Sequence, residues 1–141
     1  MTIDLIINGK DAFLEYGIKM GEGFLDAIFS PAPIKDFVEN KSRLTDGKQV
    51  IYNNPKVDER DVTLTFNLEG DSPGDYLVKC KKFKEELSKG LIIIEVPVLG
   101  ETYRLTYGKS VTFGMNTERT FSKISCKFNE PNPANREAEK V

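Results

Sequence analysis

Val62-Thr63-Leu64-Thr65-Phe66-Asn67-Leu68 decides the fold together with the segment C-terminal to it: Ser72-Pro73-Gly74-Asp75, then Tyr76, Cys80, Phe83 and Leu87, then Gly90 and the run Leu91-Ile92-Ile93-Ile94-Glu95-Val96-Pro97-Val98. The first seven residues alternate apolar and polar at period two, so one face enters a core and the other meets solvent, as in a half-buried strand. Ser72 offers a hydroxyl to free amides, Pro73 suits a first helical position and Asp75 places a carboxylate at the positive end of a helix dipole. Spacings of four, three and four from Tyr76 to Leu87 draw one narrow apolar stripe on a helix over residues 72–89, flanked by Leu77 and Lys84. Gly90 can adopt the left-handed conformation that ends helices, and the β-branched run after it is a strand.

Outward from this strand–helix–strand unit the chain is written in strands. Residues 3–7 form one, and Asn8-Gly9 supplies a tight turn after it. Tyr103, Leu105 and Tyr107 share one face of a late strand; Ile124, Cys126 and Phe128 share a face of the next, and residues 114–119 are the polar connection between them. Residues 11–20 show no clear pattern. Residues 21–33 are punctuated by glycine and proline yet hold Phe24, Leu25, Ile28 and Phe29, more large apolar groups than a solvated loop carries, so some of that surface must be covered, by a partner among other ways. A strand over residues 34–39 leads to residues 40–48, where Lys41, Arg43, Asp46 and Lys48 surround Leu44 and close on the Asp46-Gly47 turn, an extended charged loop.

The fold class expected is mainly β, of the α+β kind: a β-sandwich or split β-barrel of at least six strands with one packed α-helix, in a single domain over residues 1–130. Residues 131–141, opening Pro131-Asn132-Pro133 and ending in a charged run, are too polar to offset the entropy of packing and should be an extended or mobile tail.

The chain has 141 residues, enough for one core without metal or disulfide support. Its 20 basic and 22 acidic residues give a net charge of −2, which suggests no general affinity for nucleic acid or anionic membrane. The apolar runs are far shorter than a membrane span, and Met1-Thr2-Ile3-Asp4 lacks a signal-peptide pattern, so manufacture and use without secretion are expected. Cys80 and Cys126 fit that compartment as buried free thiols.

Histidine is absent, which removes Ser–His and Cys–His nucleophile pairs and the commonest metal ligand. Asp58-Glu59-Arg60-Asp61 could suggest a cation site or an acid/base pair, but the spacing fits no calcium loop, and solvated turn charges explain it better. Glu85 and Glu86 are adjacent on the helix and diverge. Lys79, Lys81, Lys82 and Lys84 could track phosphates; an outer face paired with Asp75, Glu85 and Glu86 is the plainer explanation. Gly21-Glu22-Gly23 lacks the rest of a phosphate-binding fingerprint. No catalytic residue, metal ligand or cofactor follows from these residues.

An Ile-Asn-Gly segment at residues 7–9, Tyr16-Gly17-Ile18, the charged loop at residues 40–48, Asp58-Glu59-Arg60-Asp61 running into the 62–66 strand, the helix, and Tyr103-Arg104-Leu105-Thr106-Tyr107 occur in that order. This ordered set resembles the phage distal tail protein and tail-tube family, particularly the small versions in prophage-like clusters. Of that family's Pro-Gly-Arg-Asp-Gly-like loop, the arginine, as Arg43, and the Asp46-Gly47 turn carry over. The resemblance implies a non-enzymatic virion structural protein, made in the bacterial host cytoplasm and placed in the tail. It implies a homo-oligomeric ring, usually hexameric, at the tail tube or distal tip, bound to other tail proteins, with no membrane partner and with DNA at most passing through its channel. Phe24, Leu25, Ile28, Phe29, Lys41, Arg43 and Leu44 are then the candidate subunit-interface residues. A monomeric peptide- or carbohydrate-binding module, using Tyr16, Tyr52, Tyr103 and Tyr107 as flat contacts, is the alternative from another class.

Overall fold

The alternation at residues 62–68 is realised as a strand one in from the edge of a curled antiparallel sheet in a computed structural model, which describes residues 4–35, 38–41, 47–51 and 56–136. The elements run β1 (Ile6–Ile7), β2 (Lys10–Asp11), α1 (Ala12–Tyr16), β3 (Ile18–Met20), α2 (Phe24–Ile28), β4 (Val38–Lys41), β5 (Lys48–Ile51), β6 (Arg60–Glu69), α3 (Pro73–Ser88), β7 (Leu91–Val96), β8 (Glu101–Met115) and β9 (Phe121–Glu130). Seven strands form one sheet in the order β2-β1-β7-β8-β9-β6-β3, and β4 pairs with β5 apart from it. The sheet curls into a half-barrel whose concave side α3 fills, the split-barrel form of the expected architecture.

Every second residue of β6 from Val62 to Leu68 is buried, and so are Ile124, Cys126 and Phe128 on β9. The two strands are in continuous register, Val62 opposite Phe128 and Phe66 opposite Ile124. The helix begins where the capping residues place it: Ser72 Oγ accepts from the Asp75 amide at 3.1 Å. Its stripe of Tyr76, Cys80, Phe83 and Leu87 is buried on the sheet. Phe66 stands at the middle of the core, edge-on to Phe24, Phe83 and Phe128 at 5.4, 5.5 and 6.2 Å between ring centres, so one aromatic cluster ties β6 to α2, α3 and β9. Both thiols are free and buried, and burial raises the pKa of Cys126.

The first strand is shorter than expected, with Asn8 and Gly9 forming the β1–β2 turn at positive φ as a two-residue hairpin requires. The patternless stretch after it holds α1 and β3, joined by Gly17 at φ 64°. Gly17 donates to the Phe13 carbonyl at 2.9 Å and accepts from the Glu69 amide at 2.9 Å. A Cβ there would fall on the Glu69 carbonyl oxygen, so this turn admits only glycine.

Two expectations are corrected. Residues 21–33 are not wholly irregular: a five-residue helix, α2, turns Phe24 and Ile28 into the core. The loop over residues 40–48 is shorter at both ends, because Asn40 and Lys41 pair with Gln49 and Lys48 in a hairpin. The described part of the C-terminal tail turns back on the domain: Pro133 is buried, and the Thr102 amide donates to the Arg136 carbonyl at 3.1 Å.

Candidate subunit interface

α2 divides its apolar residues between two environments, and that division defines the candidate surface. Its one and a half turns place Phe24 and Ile28 on the core side, whereas Leu25 and Phe29 remain 38% and 57% exposed. Leu25 and Phe29, with Asp26, Ser30, Pro31 and Leu99, line a shallow depression of about 470 Å³. Val98, in the turn after β7, is also exposed. An apolar surface of this kind is what a protein contact would cover.

A buried ionic network fixes the position of this surface. Arg60, the first residue of β6, donates from Nε to Glu130 Oε1 at 2.6 Å. Its two other guanidinium nitrogens donate to the carbonyls of Ser30 and Ile28, each at 2.7 Å, which pins the chain where α2 ends and Phe29 turns outward. Glu130 is fully buried and receives two further bonds from Arg136, at 2.9 and 3.1 Å. Both guanidinium groups lie over the Tyr103 ring, Arg60 at 5.8 Å and Arg136 at 5.0 Å from its centre. Hydrogen bonding to Glu130 raises the Arg136 pKa against the opposing effect of burial; burial, then the Glu101 carboxylate, pushes the Tyr103 phenol up.

A second buried carboxylate, Glu86, leaves the helix on the flank facing the β1–β2 turn. It accepts from Asn8 Nδ2 at 2.6 Å and from Lys89 Nζ at 3.0 Å, with Lys10 Nζ at 3.7 Å. Tyr16 OH is directed toward the same group without reaching hydrogen-bond geometry. Burial alone would raise the Glu86 pKa; the surrounding donors outweigh it and lower the value to about 2. Asn8 also accepts from the Ile93 amide at 2.7 Å, so one side chain joins the first hairpin, α3 and β7.

Of the sequence-derived interface residues, then, Leu25 and Phe29 lie on the surface and Phe24 and Ile28 lie in the chain's own core. Lys41 ends β4 opposite Lys48. Arg43 and Leu44 lie outside the described residues. The helix lysines divide by flank: Lys79 pairs with Asp75 at 3.1 Å and Lys82 with Glu15 at 3.9 Å, while Lys84 lies over the Phe113 ring at 5.6 Å. Lys81 is exposed. Arg60 and Glu86, expected among solvated charges, are instead buried, and Glu130 and Arg136 were not singled out, although Arg60 and Glu130 continue the period-two apolar faces of their strands and carry opposite charge.

No protein-family model and no curated protein matches the sequence. Among solved structures the chain is similar to the SPP1 Dit protein, described as a paradigm of the hub adsorption apparatus in phages that infect Gram-positive bacteria, with a TM-score of 0.56 at 14% sequence identity. The likeness covers 94% of this chain and 51% of that one, so the chain spans about half the length of its structural neighbour. What the two share at this identity is the fold.

Proposed function

We propose that this chain is a non-enzymatic structural subunit of a phage or phage-like tail, assembling with copies of itself into a ring at the tail tube or distal tip. The observation that carries the reading is the likeness in fold to a phage tail hub protein over nearly the whole chain. The ordered sequence set that resembles distal tail proteins points the same way and comes from different information. Identical subunits that meet head to tail close into a ring when the rotation allows, giving an axial passage and two faces for other tail components. In this reading Leu25 and Phe29 are covered by the neighbouring subunit, the loop that holds Arg43 and Leu44 reaches across the same junction, and six subunits complete the ring. The acidic balance suits a passage through which DNA slides without being gripped.

Solution mass over a concentration series, followed by negative-stain imaging, tests it. Closed rings of uniform size are expected. A monomer at all concentrations, with no annular particles alone or mixed with other tail proteins, would overturn the proposal.

A further inference from the structure

β8 is two strands in one. Its first part, residues 101–106, pairs with β7, and only from Thr106 onward does the strand pair with β9; β7 then ends, and the Tyr107 amide bonds the Gly90 carbonyl at 2.8 Å. From residue 108 to residue 115 the strand keeps β9 on one edge, and among the described residues no strand occupies the other. A free strand edge presents a row of unpaired amides and carbonyls, and natural proteins usually shield such edges or make them polar. Here Val111, Phe113 and Met115 are 53%, 45% and 49% exposed. Phe113 and Met115 stand opposite buried Ile124 and Ser122, on the concave face beside α3. The helix flank that meets them carries Lys84 over the Phe113 ring and, seven residues earlier on the same flank, exposed Leu77.

We infer that the edge of residues 108–115 and the facing flank of α3 form a docking groove for an extended segment of a different protein, one that alternates apolar and acidic side chains and joins the sheet as an added strand. The backbone edge asks for a strand, and the half-exposed apolar side chains ask for alternate apolar residues on its inner face. Charge decides the remainder. Lys109 stands directly opposite Lys127, a like-charged cross-strand pair, and neither these two nor Lys84 has a carboxylate within salt-bridge distance among the described residues. Carboxylates on the incoming strand would relieve that repulsion. The same charges argue against the matching edge of a second copy as occupant, because it would bring another Lys109 and Lys127 to this groove. Two β-bulges, between Tyr107 and Lys109 and between Ser110 and Thr112, further disfavour pairing with a flat edge and leave a regular ladder from Thr112 to Met115.

Backbone hydrogen exchange on the full chain, with two short blocked peptides as probes, one alternating valine with glutamate and one alternating valine with lysine, decides the matter. The glutamate peptide should slow exchange about tenfold at the amides of residues 112–115 that point away from β9, and the lysine peptide should not. Lys109→Glu and the double change Phe113→Ser with Met115→Ser, all on exposed side chains, should weaken that protection while leaving the circular dichroism spectrum intact. Equal protection by both peptides, no protection by either, or protection of the same amides on raising the protein concentration alone would each overturn the inference, the last by making a second copy the occupant.

Discussion

Arg60 and Glu130 are direct cross-strand partners at one end of the β6–β9 ladder, joined at 2.6 Å with almost no access to solvent. The strand faces that bury Val62 and Phe128 continue to these two residues, so the pair sits where apolar side chains would otherwise be. A buried ion pair is costly to desolvate and is retained where its geometry fixes something. What it fixes here is the junction after α2, through the carbonyls of Ile28 and Ser30.

Arg60→Met should therefore destabilise the fold by about 3–5 kcal/mol, because it leaves the Glu130 carboxylate buried with only Arg136 and frees two backbone carbonyls. Chemical denaturation measures this. Pairing Arg60→Met with Glu130→Leu removes the buried carboxylate but also the partner of Arg136, so it should recover only part of the loss; a double variant as stable as the native chain would show that neither the carbonyl contacts nor the Arg136 bonds carry energy.

Glu86 predicts the acid response. Its pKa is lowered to about 2 in the folded chain, below the ordinary carboxylate value, so the unfolded state binds the proton more readily. The associated stability is fully present above the unfolded-state pKa and is lost as pH falls from the ordinary carboxylate range toward 2. Its ceiling is on the order of 3 kcal/mol. Denaturation midpoints measured through this window should fall with pH, and Glu86→Gln should flatten the profile; an unchanged slope would assign the acid sensitivity to other carboxylates.

Gly17 provides a backbone test. Gly17→Ala should cost at least about 2 kcal/mol, since the added methyl group meets the Glu69 carbonyl and the left-handed conformation is retained. Thermal unfolding would report it. Gly9 also has positive φ but open space around it, so Gly9→Ala should cost less and serves as the control.

Periodicity made the strand–helix–strand core legible, because Val62 to Leu68 and the stripe from Tyr76 to Leu87 repeat long enough to be unambiguous. α2 was hidden for the opposite reason: five residues between glycine and proline give less than two turns, too few to separate Phe24 and Ile28 from Leu25 and Phe29. Arg60 and Glu130 were masked by their charge. Each stands at the in-facing phase of its strand, but a charged residue at a strand end ordinarily marks the boundary with solvent, and only the register reveals that the two neutralise each other. Arg136 lay in a stretch too polar to be read as packed; it is held by ionic bonds to Glu130.

The surface left on α2 gives the prediction closest to function. Leu25 and Phe29 are exposed and lie outside the buried core, so Leu25→Asp with Phe29→Ser should change unfolding by no more than about 0.5 kcal/mol. If the neighbouring subunit covers this surface, the same pair of changes places a charge and a hydroxyl in a contact built for apolar groups, and assembly should be lost. Deleting residues 41–45 should weaken assembly through a different part of the junction and keep the monomer folded. Mass measurement of the three proteins at matched concentration separates the cases: loss of the oligomer in both variants supports a junction formed by α2 and the loop together, and an unchanged oligomer in the Leu25 and Phe29 variant removes α2 from the interface.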